Sequence, residues 1–121
     1  MSSYKQPVIF TYEADGVIAA DKQYHLAKFG SSDDSVVVAD LDAKAIGVIM
    51  TQPSGVAGEQ LEIAGSNGGA VVKVAAAIAR GEYFKSDAAG KAVVAADRAS
   101  ALGQIDESAT AANQVVACVL F

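Results

Sequence analysis

The fold is decided in the middle of the chain, where residues 60–74 read Gln-Leu-Glu-Ile-Ala-Gly-Ser-Asn-Gly-Gly-Ala-Val-Val-Lys-Val. Polar and apolar residues alternate in 60–63, and Lys73 stands between two valines in the same way. Such an alternation places one set of side chains on each face of a β-strand. The Gly and Asn residues at 65–69 favour the positive φ angles that tight turns require. The stretch therefore predicts two strands separated by a turn.

Short apolar runs between turn signals continue outward from this stretch along the chain. Further turns are predicted at 15–16, 30–34, 53–55, 89–90, Gly81 and Gly103. Further strands are predicted at the β-branched and aromatic runs 8–12, 24–29, 36–38, 48–49 and 115–121. The last of these runs is apolar at every position, so we expect a strand buried on both faces. Turn signals about every ten residues are typical of an all-β barrel or sandwich.

Two alanine-rich segments compete with this interpretation, because alanine favours helix. For 74–80 we expect a strand that runs into a turn at 77–81 with at most one helical turn, and for 95–102 a short helix or a loop. The predicted fold class is therefore all-β: a compact β-barrel or β-sandwich with short loops and at most one or two short helical turns. We expect a flexible N-terminal arm over residues 1–7 and a single β domain over 8–121, since Pro7 cannot donate in a central ladder.

Composition and charge limit the classes of function. The chain has 121 residues and a formal net charge of −5, and no two of its nine Lys and Arg residues are adjacent. Binding to nucleic acid or to an anionic membrane needs clustered basic residues. We therefore expect one domain that binds neither nucleic acid nor a membrane.

Residues that could carry catalysis are scarce. His25 is the only histidine and Cys118 the only cysteine, so a disulfide within the chain and zinc sites of the Cys/His type are ruled out. We expect Cys118 to be a small buried hydrophobe rather than a reactive thiol, and His25 to have a structural or surface role. The sequence therefore predicts no catalytic residues, no metal and no cofactor: the chain is not expected to be an enzyme.

Two further motifs could bind a metal ion or a phosphate group, but each is better explained as a turn. The acidic residues Asp33, Asp34, Asp40 and Asp42 could attract calcium, but they lack the spacing and the bidentate Glu of an EF-hand, so a solvated turn is expected. The glycine-rich stretch 65–69 lacks the Gly-Lys-Ser/Thr ending of a phosphate loop, so it too is expected to be a turn.

A series of short motifs resembles a known family. An Ala-Ile-Gly-Val-Ile strand at 45–49 follows an acidic turn. After it come Ile-Ala-Arg-Gly-Glu-Tyr-Phe-Lys-Ser-Asp at 78–87, Ala-Gly-Lys-Ala-Val at 89–93, Leu-Gly-Gln-Ile at 102–105 and a closing apolar strand at 115–121. Their order resembles that of the small phage head decoration, or capsid cement, proteins. The resemblance implies a compact β-barrel or β-sandwich that binds the major capsid protein on the outside of an assembled capsid, often as a homotrimer, and stabilises the capsid. It also implies a protein that is made in the host cytoplasm and located in the virion.

The N-terminal residues are the candidates for contact with the capsid, because an extended segment can add to an exposed sheet edge. The candidate contact residues are Tyr4, Lys5, Gln6, Pro7 and Ile9. Alternatively, the segment is the first strand of the chain's own sheet.

A second class of function is a small β-barrel binding module without catalytic activity, either a prosthetic-group carrier or a carbohydrate-binding domain. Biotinyl and lipoyl carriers present a modified lysine at a hairpin tip, and Lys44 is the nearest candidate here. The chain has no Trp to stack on a sugar.

Overall fold

The computed structural model describes residues 7–41 and 44–121. Ten strands follow one another in these residues: β1 (Ile9–Ala14), β2 (Leu26–Phe29), β3 (Ser35–Val38), β4 (Ala45–Ile49), β5 (Gln60–Ala64), β6 (Gly69–Lys73), β7 (Tyr83–Ser86), β8 (Ala92–Val94), β9 (Gly103–Ile105) and β10 (Val115–Leu120). The described helical structure consists of two 3-10 turns, Ala20–Lys22 and Arg98–Ser100. The predicted all-β class, with at most two short helical turns, is confirmed.

The first five strands form a closed barrel in the order β1-β3-β2-β4-β5. Antiparallel pairing of β1 with β5 closes it, with Phe10 opposite Ile63. One pair in the barrel is parallel, that of β1 with β3, where Glu13 lies opposite Ser35. The barrel is therefore built from residues that are contiguous in sequence.

The last five strands form a second sheet in the order β6-β10-β9-β7-β8. β10 lies inside this sheet and pairs on both sides, so that Cys118 lies opposite both Ala70 and Ile105. Beyond the end of β6, Val74 forms a parallel bridge with Ala92 of β8. The sheet is therefore curled, because its two edge strands approach each other at this bridge.

Two groups of buried apolar side chains form the core. One belongs to the barrel and consists of Ala14, Ile18, Ala27, Val36, Ile49, Leu61 and Ile63. The other joins the outer side of the barrel, at Leu26, Val48 and Ala64, to residues of the second sheet that include Phe84 and Leu120. The barrel and the second sheet thus share one of the two clusters.

The turn at 65–69 leads from β5 in the barrel to β6 in the second sheet, so the two predicted strands are not a hairpin. Asn67 has a φ of 65°, the left-handed conformation that Asn tolerates. Its backbone N–H donates to the Leu120 carbonyl, and the Leu120 N–H donates to the carbonyl of Gly68. The predicted turn is confirmed, and it is fixed by the end of β10.

Two expectations about the C-terminal half are wrong. β10 is not buried on both faces: Val116, Cys118 and Leu120 are buried, but Val115 is 39% exposed, because the other face of the second sheet points outward. Gly103 is not in a turn but begins β9, where a Cβ atom would lie 2.3 Å from the carbonyl oxygen of Val119. Glycine is required there because the strands approach closely.

The remaining expectations about local structure are close to what is observed. Residues 74–80 contain bridges at Val74 and Ile78 and no helix, followed by a turn at 80–81. The second alanine-rich segment contains the 3-10 turn Arg98–Ser100, capped by the Asp97 carboxylate, which accepts from the Ser100 N–H. The strand predicted over 24–29 begins only at Leu26, so His25 precedes it.

Candidate interaction surface

The structure places two of the five predicted contact residues. Tyr4, Lys5 and Gln6 lie outside the described residues. Pro7 is half-buried just before β1, and Ile9 is the first residue of β1, where its side chain is 39% exposed and its backbone lies opposite Ala64. For residues 9–12 the structure therefore shows a strand of the chain's own barrel.

One edge of β1 is open over most of its length. β5 pairs with residues 9–13 on one side, whereas β3 pairs on the other side only with Glu13 and Ala14 among the described residues. The Val8 carbonyl accepts from the Gly65 N–H on the β5 side, whereas the Glu13 N–H donates to Asp34 on the β3 side, both at 2.8 Å. Antiparallel hydrogen bonding alternates along a strand. The N–H and C=O groups of Ile9 and Thr11 therefore point to the open side.

An apolar cleft, which we call the β1 cleft, lies beside the first half of β1. Its volume is about 410 Å³, and it is lined by Val8, Phe10, Tyr12, Ile46, Ile63, Gly65, Ser66 and Asn67. Phe10 is 49% exposed, although it is a large apolar side chain. A Cβ atom on Gly65 would lie 2.7 Å from the Phe10 ring, so glycine at this position leaves the space that the ring fills.

A β-bulge brings Ile46 to this cleft. Ala27 lies opposite Gly47 and Lys28 lies opposite Ala45, which leaves Ile46 as the extra residue. A bulge re-aims side chains in this way. Ala45 consequently packs against the cluster between the two sheets, and Ile46 packs against the barrel core.

Phe29 extends the apolar surface toward an acidic turn. Its side chain is 61% exposed, and its ring packs edge-on against Tyr12 with 6.0 Å between the ring centroids. Phe29 also lines a second cleft with residues 30–34, which include the exposed Asp33 and Asp34. Exposed aromatic side chains that lie together mark surfaces of protein contact.

His25 and Cys118 are both packing residues. His25 is 2% exposed, and burial lowers the pKa of its imidazole, as do the charges of Lys22, Lys73 and Lys91. Cys118 is also 2% exposed, and burial, with a contribution from Asp106, raises the pKa of its thiol to about 12. The expectation that Cys118 is a small buried hydrophobe is confirmed, and of the two roles expected for His25 the structural one is observed.

The acidic residues singled out in the sequence do not converge. Asp33 and Asp34 lie in the exposed turn before β3, Asp40 accepts from Lys28 Nζ at 3.1 Å, and Asp42 lies outside the described residues. Within 7–41 and 44–121, no three His, Cys, Asp or Glu side chains form a group that could hold a metal ion. Nor does this part of the chain contain a helix that is long and apolar enough to cross a membrane.

Lys44 does not lie at a hairpin tip. It is exposed just before β4, and β4 follows β3 in sequence, but β2 lies between β3 and β4 in the barrel. The segment that carries Lys44 is therefore a crossing connection rather than the tight hairpin that presents the lysine of a prosthetic-group carrier.

Comparison with known proteins defines the fold. No family model and no curated protein matches the sequence. Among solved structures, the chain has the fold of a phage head protein, as the motif resemblance implied. That structure is the N base of the head fiber gp8.5 of bacteriophage phi29, with a TM-score of 0.62 and 23% sequence identity over 94% of this chain and 93% of that one.

Residues 8–12 were predicted as a strand from their β-branched and aromatic content, but the apolar contact surface around them was not predicted. Phe10 and Tyr12 belong to that strand, whereas Phe29 and Ile46 come from separate runs. Period-two alternation assigned the strands, but it did not indicate which apolar face would remain uncovered.

Proposed function

We propose that this chain is a structural protein of a phage virion that binds the outer surface of the assembled head and stabilises it. The observation that carries the proposal is the likeness in fold to the phi29 head fiber base, which extends over nearly the whole of both chains. The ordered motifs of this chain support the same conclusion, because they resemble those of the phage head decoration proteins. The partner is then the major capsid protein.

The exposed apolar residues around β1 supply a surface for this contact. Val8, Ile9, Phe10 and Phe29 are each between 38% and 61% exposed. Val8 and Phe10 line the β1 cleft, and Phe29 packs against Tyr12, which lines it too. A head protein that occupies several equivalent sites as a homotrimer gains affinity from each additional contact. We therefore propose a homotrimer on the capsid, with the β1 side of each copy against the capsid subunits.

Charge supports a position on the exterior. The net charge of −5 disfavours a place beside packaged genome, because like charges repel and nucleic acid attracts Lys and Arg instead. The proposed location is therefore the outside of the capsid, after synthesis in the host cytoplasm.

We further propose that the chain acts by binding alone. Nucleophilic catalysis needs an accessible nucleophile beside a base, but Cys118 and His25 are both buried. Binding without catalysis requires a folded body and an exposed contact surface, and the buried core together with the exposed apolar residues around β1 supports this proposal.

Sedimentation with capsids tests the proposal. The purified chain is mixed with expanded, undecorated capsids of the phage that encodes it, and an unrelated acidic protein of similar size serves as the control for trapped material. We expect saturable co-sedimentation and a higher melting temperature of the capsids. Absence of the chain from the capsid fraction, at a level matching the control, would overturn the proposed function.

A further inference from the structure

We propose that the open edge of β1 receives an extended segment of the capsid subunit, which pairs with residues 9–12 as an added strand. In this proposal, apolar side chains of the added strand face the β1 cleft, and a Lys or Arg lies at the acidic turn. The identity of the partner rests on the proposed function, whereas the geometry of the added strand rests on the open edge of β1, the β1 cleft and the acidic turn.

The backbone of β1 offers hydrogen bonds to such a strand. The outward N–H and C=O groups of Ile9 and Thr11 have no strand beside them among the described residues, because β3 begins to pair only at Glu13. An unpaired edge is a ready template for another strand. The added strand would lie in line with β3 and end where β3 begins.

The side chains beside this edge favour an apolar partner. Phe10, Tyr12 and Ile46 line the β1 cleft, and Phe29 packs against Tyr12 beside it. Alternate residues of an added strand point to the same face. Every second residue of the partner segment would therefore pack on these rings, and the intervening residues would point to solvent or to the capsid.

The charge at one end of the edge favours a basic residue in the partner. Glu13 ends the open stretch, and the exposed Asp33 and Asp34 lie in the adjoining turn, where the Asp34 carbonyl accepts from the Glu13 N–H at 2.8 Å. The described ion pairs do not include these three carboxylates. Opposite charge at a contact fixes the register of the partner and speeds association.

A second copy of β1 fits this edge less well. β1 (Ile9–Ala14) contains Glu13 and no basic residue, so a second copy of the strand would bring no positive charge to the acidic turn. Pairing of β1 with β1 about a twofold axis would also close after two copies, because the interface is then the same patch on both partners. We therefore assign the added strand to the capsid subunit.

Thr11→Pro tests the edge directly. Proline removes the outward N–H and fills the space beside it, while the hydrogen bonds of β1 to β5 come from the even-numbered residues and remain. Edge positions tolerate proline for this reason. Thr11→Val, which keeps the N–H, is the matched control. We expect Thr11→Pro to bind expanded capsids at least about tenfold more weakly than the wild type, with the control unchanged.

The outcomes separate the two proposals. If the wild-type chain fails to bind capsids, the proposed function falls and this inference falls with it. If the wild type and Thr11→Pro bind equally, the inference is overturned while the proposed function stands. If Thr11→Pro alters the mass of the free chain by analytical ultracentrifugation but not capsid binding, the edge belongs to a second copy and the inference is overturned.

Two surface variants keep the inference falsifiable if Thr11→Pro fails to fold. Phe29→Ser changes a side chain that is 61% exposed, and Asp33→Lys reverses an exposed charge. We expect both to weaken capsid binding severalfold, and the effect of Asp33→Lys to diminish as salt is raised. Unchanged binding by both variants, with melting temperatures equal to the wild type, would overturn the inference.

Discussion

β1 and β10 are alike in length and in their content of β-forming residues, but they differ in how much of each strand is covered. Each has six residues and is rich in β-branched or aromatic side chains. β10 pairs with a strand on both edges, and Val116, Cys118 and Leu120 are buried. β1 has one edge open over its first four residues, and its side chains from Ile9 to Thr11 are exposed.

The difference shows that apolar content alone does not assign a strand to the core. β10 lies inside the second sheet, so its apolar residues contribute to the stability of the fold. β3 pairs with only the last two residues of β1, which leaves backbone groups of its first half unpaired. The side chains of β1 from Ile9 to Thr11 are exposed as well, so both its backbone edge and its apolar side chains are accessible to a partner. Single exposed apolar residues occur on most proteins, whereas a cluster of large ones indicates a contact surface.

The sharpest test of this contrast is truncation of one side chain in each strand. Leu120→Ala empties a site that is 1% exposed, and we expect it to lower the free energy of unfolding by about 2–5 kcal/mol. Phe10→Ala removes a side chain that is 49% exposed, and we expect a loss of about 1 kcal/mol or less. Urea denaturation measures both. Equal losses for the two variants would contradict the contrast.

A smaller effect is expected from a polar group within β10. Cys118→Ser places a hydroxyl among the apolar neighbours of Cys118, and we expect a loss of about 1–3 kcal/mol in the free energy of unfolding. Cys118→Ala is the control, because it removes the sulfur without adding a hydroxyl. A midpoint of denaturation for the serine variant equal to that of the wild type would show that position 118 is not buried.

The junction between the barrel and the second sheet is a buried region, as β10 is, and His25 lies within it. The Tyr24 and His25 backbones bond to Ile49 of β4, and the Lys73 N–H of β6 donates to the Tyr24 carbonyl. Burial lowers the folded-state pKa of His25, so below about pH 6.5, the usual pKa of the unfolded state, the unfolded chain binds more protons than the folded chain. Stability should therefore fall as the pH decreases from 7 to 5.

Thermal unfolding across that pH range measures this dependence. A His25→Gln variant cannot take up the proton, so its melting temperature should vary less between pH 7 and pH 5 than that of the wild type. If both proteins show the same slope, proton uptake by His25 does not contribute to the pH dependence.

The smallest effect on the fold is expected at the N-terminus. Deletion of residues 1–7 stops short of Val8, whose carbonyl accepts from Gly65, so β1 keeps its pairing with β5. We expect an unchanged β signal in circular dichroism and weaker binding to capsids. Loss of the β signal would show that these residues are part of the core.

The fold class could be predicted from the sequence because its signals are local. Alternation in 60–63 and turn residues such as Asn67 act within a few neighbours, and both are found in the structure. The turn predicted at Gly103 was wrong because glycine occurs both in turns and at positions where two strands approach closely. The sequence stretch gives no sign that the carbonyl of Val119 would lie beside it.

The candidate surface could not be predicted because its parts are joined by pairing over long distances. Tyr12 contacts Phe29 because β3 lies between β1 and β2 in the barrel. The pairing of β1 with β3 is parallel, so no tight turn in the sequence indicates it. Ile46 reaches the cleft only because of a bulge. Ile9 is predicted as a capsid-contact residue from its position near the N-terminus; its side chain is 39% exposed, and the contact itself stays a prediction.

The division of the chain into two successive sheets has a consequence for synthesis on the ribosome. All five barrel strands lie before residue 65, and all strands of the second sheet lie after residue 68. The barrel can close its hydrogen bonds while the later residues are still being translated, as N-terminal units commonly do. In the folded chain Leu26, Val48 and Ala64 are covered by residues of the second sheet, so a barrel that closes first would expose these apolar side chains to solvent until the second half of the chain has been translated.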